Sequence, residues 1–275
     1  RPASAAAAEP TITPATDTMP MVSTLDLSPK NISQPSVKAS GPVKLSAPWC
    51  GCIHSLIQMK SGRLVLVGQE IIPQWRHATV MWASDDLGKT WQRGDVLDYG
   101  IGEHDHAGSI EGSVIERADG SLYLLLRTES GFLWEATSKD GLKWTGLKQT
   151  SIASVTCCPQ MARLADGRIA LLWNAPPRHN PKNGSSRAEL SLAFSSDETA
   201  SWSKPVIVAA NYAPGGRVSY PYLYEREPGE LWITTMQGGL RILERIRQVR
   251  GDVFTRRPKL GKWDWAVLAA RSIRM

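Results

Sequence analysis

A chain of 275 residues with 42% hydrophobic and 21% charged residues has the composition of an ordinary folded protein, long enough for one large domain or two small ones. It contains no run of 18 or more apolar residues, which excludes a transmembrane helix, and four Cys are too few to build a disulfide miniprotein. The net charge of +6 is concentrated at one end, because residues 241–275 hold ten Lys or Arg against three Asp or Glu. The body is therefore near neutral, and no nucleic-acid partner is expected from the basic balance.

Residues 1–42 are rich in Ala, Pro, Ser and Thr and carry no sustained apolar period, which predicts a flexible leader. The Ala-rich residues 4–8 before Glu9 fit the cleavage region of an export signal, so a secreted or periplasmic protein is expected. From residue 43 to 246 one unit returns four times, a Gly turn followed by an apolar strand. The turns are Lys60–Arg63, Ala118–Ser121, Ala165–Arg168 and Glu227–Glu230, and their glycines lie 58, 47 and 62 residues apart. Each Gly supplies the positive φ that a tight hairpin requires. Short strands at a period near 50, with no helical pattern, predict an all-β fold, a β-propeller of four-stranded antiparallel blades. Four blades are visible against an expected five or six, with inner strands near 52–59, 109–116, 155–164 and 217–225. Residues 247–275 form a basic tail that could close the propeller.

A second element follows each of the first three hairpins. Ser84–Trp91 fits S-x-D-x-G-x-T-W throughout, Ser138–Trp144 is one residue shorter, and Ser195–Trp202 has Thr199 where Gly belongs. Asp86, Asp140 and Asp197 are expected to tie the turn through side-chain hydrogen bonds, and each Trp to pack between blades.

These turns are similar to the Asp boxes of the sialidase-like, or BNR-repeat, family. Two further stretches resemble it: Ile110–Thr128, with Gly112 in place of a Pro, and Ser191–Pro221 with its Trp202-Ser203-Lys204-Pro205 and Ser219-Tyr220-Pro221. The resemblance implies a six-bladed propeller that hydrolyses or binds glycans. In the family an arginine triad holds a substrate carboxylate, a Tyr paired with a Glu is the nucleophile, and a loop Asp is the acid/base. Carried onto this chain, it implies Tyr220 as nucleophile, Glu111 as its proton acceptor and Asp105 as acid/base. Arg127, at the end of a strand after an apolar run, and Arg187 and Arg217, each just before a strand, are the candidates for binding the anionic group, on that strand-end placement. Where the family has its first arginine this chain reads Trp49-Cys50-Gly51-Cys52-Ile53-His54-Ser55, without one.

The residues themselves point the same way at one loop. Gly102–Gly108 places Glu103, His104, Asp105 and His106 beside Glu111, and imidazole with carboxylate suits acid–base work near neutral pH. His104 and His106 are therefore expected as substrate contacts. Trp49, Trp75 and Trp134 are candidates for stacking on sugar faces. Cys50, Cys52, Cys157 and Cys158 could pair, bind metal or simply pack; no metal and no cofactor is expected. The function expected is an exo-glycoside hydrolase acting on an acidic oligosaccharide or polysaccharide. A non-catalytic carbohydrate-binding propeller and a polysaccharide lyase using His104 or His106 with Tyr220 are the alternatives.

Overall fold

The computed structural model describes residues 56–102, 107–179, 185–238 and 268–274. Within Pro42–Met275 the described residues form only strands and turns, in four antiparallel sheets that follow one another along the chain. The first sheet holds β1 (Leu56–Gln58), β2 (Leu64–Ile71), β3 (His77–Ser84) and β4 (Gln92–Leu97). The second holds β5 (Ile110–Glu116), β6 (Leu122–Arg127), β7 (Phe132–Ser138) and β8 (Trp144–Ala153). The third holds β9 (Gln160–Arg163), β10 (Ile169–Trp173), β11 (Glu189–Ser195) and β12 (Val206–Ala210). Each is a simple meander in chain order. The fourth contains β13 (Arg217–Glu227), β14 (Glu230–Gly238) and β15 (Leu268–Arg274). The basic tail therefore donates a strand, with Glu230 opposite Arg274 and Met236 opposite Leu268.

The four hairpins form where the repeats predicted them, with Gly62, Gly120, Gly167 and Gly229 at φ between 81° and 90°. Strand periodicity then builds the packing. In β6, Leu122, Leu124 and Leu126 join a core with Val65, Val67 and Met81 of the first sheet. The residues between them, Tyr123 and Leu125, enter a second core with Ile169, Leu171 and Trp173 of β10. Ala170 and Leu172 of β10 face a third core with Leu223, Leu231 and Ile233 of the fourth sheet. A strand buried on both faces must be apolar at successive positions, which explains why β6 and β10 read as unbroken apolar runs rather than alternating ones. Each fully buried Leu contributes about 2 kcal/mol, so these three layers dominate the stability.

The three Ser-Asp turns connect the third and fourth strands of their sheets. Asp86 Oδ1 accepts from the Thr90 N–H at 2.8 Å and its Oδ2 from the Thr90 hydroxyl at 2.7 Å, while Ser84 Oγ accepts from the Gly88 N–H at 2.8 Å. Asp197 repeats this with Ser201. There Thr199 adopts the φ of 76° normally left to Gly, and its hydroxyl accepts two bonds from the Arg117 guanidinium of the neighbouring sheet. Glu198 beside it takes a bidentate pair from Arg163 at 2.8 and 2.6 Å. Trp144 is buried between the first and second sheets and Trp202 lies against the core between the second and third. Trp91 folds over its own Gly88, donating to its carbonyl at 3.0 Å.

Candidate functional site

The first strands of successive sheets, β1, β5, β9 and β13, lie against one another. Two of them begin with an irregularity. Pairing shifts register between Ile110 and Ser113 in β5, and between Ser219 and Tyr222 in β13. At those bulges Glu111 and Tyr220 take φ of 52° and 51°, which re-aims one side chain out of the strand alternation. Both stand nine residues before their hairpin glycine and are followed by Gly112 or Pro221. Cys158-Pro159 holds the same position in the third repeat.

The two bulges meet at Arg127. This arginine ends β6 opposite Ile110 and is 6% exposed. Its Nη1 donates to Glu111 Oε2 at 2.5 Å, and Glu111 is itself only 4% exposed. Its guanidinium also donates to the Tyr220 hydroxyl. Burial pulls the Arg127 pKa down, but the Glu111 carboxylate, and after it Tyr220, outweigh burial and leave it above the ordinary value. Tyr220 remains partly exposed, and the Arg187 guanidinium carbon sits 5.6 Å from its ring centroid. Glu111, Arg127, Arg187 and Tyr220, separated by up to 109 positions in the chain, thus form one cluster.

A buried frame holds that cluster. Arg187 donates through Nε to the Thr156 carbonyl at 3.0 Å and through Nη2 to the same oxygen. The next residue, Cys157, is buried; its sulfur accepts from the Asn174 N–H at 3.2 Å and contacts Ser154 Oγ at 3.3 Å. Burial pushes the Cys157 thiol up, against the charges of Arg187 and Arg127 nearby. Asn174 Nδ2 donates to the carbonyls of Glu189 and Val218, both at 2.7 Å, joining the third and fourth sheets behind Tyr220. Glu111 is fixed from its other side, its N–H donating to Gln69 Oε1 at 2.9 Å. None of Gln69, Cys157 and Asn174 was among the residues expected in the site. The bulge signal for the strands, a Gly or Pro eight residues before the hairpin glycine, was present in the sequence.

Other expectations divide. Arg217 opens β13 opposite Gly238 and is partly buried. His104, Asp105 and His106 lie outside the described residues, as do Trp49, Cys50, Cys52 and His54. The end of their loop is anchored, since His77 N–H donates to the Ala107 carbonyl at 2.9 Å and Gly108 bridges His77. Trp134 is a packing residue rather than a sugar platform: it lies against the first core, edge-on to Tyr99 with centroids 5.1 Å apart, its Nε1 donating to Ser130. Trp75 is 69% exposed on the β2–β3 turn. Cys157 and Cys158 are both buried, and the described residues contain no cluster of His, Cys, Asp or Glu fit to hold a metal. No described helix is long and apolar enough to cross a membrane.

Comparison with known proteins places this architecture. Among curated proteins, none matches the chain. A protein of unknown function from Dyadobacter fermentans superposes with a TM-score of 0.54 at 21% identity, over 66% of this chain and 48% of that one. A Hadza microbial sialidase gives 0.50 at 19%, over 68% and 37%. A mutant of the α-L-arabinofuranosidase Arb93A from Fusarium graminearum, bound to an iminosugar inhibitor, gives 0.53 at 15%, over 79% and 61%. The chain thus spans less than two thirds of each of these proteins, and at such identities the likeness is one of fold. The model of the BNR repeat-like domain matches residues 24–233, most of the chain. With its Gly hairpins, Ser-Asp turns and serially packed sheets, the chain belongs to the sialidase-like BNR repeat family.

Proposed function

We propose that the protein is an exo-glycoside hydrolase of the sialidase-like kind, acting on a glycan that carries an acidic sugar. The observation that carries this reading is Tyr220 held against Arg127 while Arg127 is ion-paired to Glu111. A phenol that shares one buried cation with a carboxylate is equipped to attack. Arg127 stabilises the negative charge that builds on the phenolic oxygen, and Glu111 takes up the proton. A neutral Tyr nucleophile also spares an anionic substrate the repulsion of a carboxylate. Arg187, parked over the Tyr220 ring, and Arg217, three residues before it, hold the substrate's anionic group by charge-assisted bonds. Asp105, with His104 and His106 around it, delivers the proton to the leaving group from the loop that ends at Gly108. The sheets are blades of a β-propeller whose axis runs beside β1, β5, β9 and β13, and the Ser-Asp turns are Asp boxes at its far end. Such an enzyme works outside the cytoplasm. The hydrolase fold-relatives named above, a sialidase and an arabinofuranosidase, support glycan chemistry in general and leave the sugar open.

A panel of acidic and neutral glycans assayed for release of reducing ends tests the reading. Tyr220→Phe is expected to lower turnover at least about 100-fold while changing ligand affinity only a few-fold, since the hydroxyl acts in the transition state. Full activity in Tyr220→Phe would remove Tyr220 as nucleophile. Binding without turnover in the unaltered protein would make it a carbohydrate-binding module, and products that absorb in the near ultraviolet would make it a lyase.

A further inference from the structure

We infer that Gln69 is a ligand-contacting residue that donates its amide to an oxygen of the substrate's acidic group. This inference rests on the proposed site. Gln69 lies near the end of β2 and is 1% exposed. Its amide orientation is set chemically: the Glu111 N–H is a donor, so Oε1 must face it, and does so at 2.9 Å. Nε2 is thereby turned away from that bond. It is buried and has no hydrogen-bond partner among the described residues. A second donor beside the same glutamate shares this condition, for Arg127 Nε is also buried and unpartnered there. Leaving a buried donor unmet costs about 1–3 kcal/mol, so two such donors on residues that both grip Glu111 indicate an acceptor that arrives from outside.

Charge identifies the acceptor's class. Arg127 already commits Nη1 to Glu111 and another bond to Tyr220, so its cation is largely neutralised within the protein. An incoming carboxylate therefore needs further donors near Glu111. A neutral amide adds a donor without adding a charge that Glu111 would compete for.

The test uses the intact chain, with side-chain amides labelled with nitrogen-15, titrated with N-acetylneuraminate, glucuronate and, as a neutral control, glucose. The Gln69 amide pair is expected to shift with at least one acidic sugar and to ignore glucose. Gln69→Glu keeps the acceptor for the Glu111 N–H but replaces the donor with a carboxylate. It should weaken acidic-sugar binding by about tenfold or more per folded molecule, compared at a temperature well below its melting point, which a second carboxylate buried beside Glu111 lowers. An acidic sugar that binds Gln69→Glu as tightly as the unaltered protein overturns the inference, as does a Gln69 signal that no sugar moves. If reducing ends are released in that second case, the hydrolase reading survives and only the role of Gln69 falls. A Gln69 response without turnover has the opposite meaning, sparing this inference and ending the hydrolase.

Discussion

Glu111 and Tyr220 pay for their positions in backbone conformation. Left-handed φ is uncommon outside Gly, Asn and Asp and costs about 1 kcal/mol or more per residue, yet both sites hold it and both turn toward Arg127. The pair they build with Arg127 is also exposed to failure, because removing one partner strands a charge in a buried place. Glu111→Gln should therefore destabilise the fold by up to about 3–5 kcal/mol, and adding Arg127→Met should restore much of that loss while activity stays absent. Chemical denaturation of the single and double variants measures this; a double variant no more stable than Glu111→Gln would show the pair is not what the fold depends on. Asp86 illustrates the contrasting, exposed kind of carboxylate. The backbone and hydroxyl of Thr90, then the Ser84 hydroxyl, lower its pKa from 3.8 to about 2. A carboxyl depressed on folding stabilises the native state above its unfolded pKa and loses that effect as pH falls through the folded one. The melting-temperature gap between the unaltered protein and Asp86→Asn should be full above about pH 4 and close between there and about pH 2, with glycan activity per folded molecule unaffected near neutrality. A gap independent of pH would mean the carboxylate's charge is irrelevant to the turn.

At the scale of elements, the approach of residues 107–110 to the β2–β3 hairpin depends on one glycine. Gly108 has φ 94°, and a Cβ built there would lie 1.9 Å from the His77 carbonyl oxygen. Backbone cannot yield as a flexible side chain does, so Gly108→Ala should break the His77–Gly108 bridge and release the end of the loop that carries Asp105. Hydrogen exchange should then accelerate at Ser109, whose N–H donates to His77 at 3.1 Å; protection equal to the unaltered protein would count against this coupling. The same contrast explains what the amino-acid order made visible. Hairpin glycines and Ser-Asp turns are local devices, satisfied within a few residues, so they could be read directly as Gly62, Gly120, Gly167, Gly229 and the three boxes. Tyr220 could be named from the family pattern, and Arg127 from its place at the end of an apolar strand. That Arg127 joins Glu111 to Tyr220, that Asn174 ties two sheets, and that Gln69 reaches Glu111 across 42 positions are products of how sheets stack. No local period encodes such contacts.

For the whole molecule, the basic tail supplies a strand, and its charge carries a separate prediction. Leu268–Arg274 is the third strand of the last sheet, hydrogen-bonded along β14 from Glu230 to Met236. Removing it exposes the edge of a strand that contributes Leu231 and Ile233 to the third core, so truncation after residue 267 should lower the melting temperature. The charge lies largely upstream, at Arg241, Arg245, Arg247, Arg250, Arg256, Arg257, Lys259 and Lys262. A cluster of this sign beside a near-neutral body should hold anionic polymers or surfaces through screened electrostatics, bringing the protein to acidic glycans before any sugar enters the site. Deleting residues 241–275 would confuse the two effects, since it removes the strand and the charge together. The discriminating variant changes Arg256, Arg257, Lys259 and Lys262 to Gln and keeps 268–274. It should elute from a heparin column at markedly lower salt while melting as the unaltered protein does, whereas the truncation after residue 267 should melt early and retain most of its heparin affinity. Retention unchanged in the Gln variant would place the attraction elsewhere on the surface and leave the tail with its structural role alone.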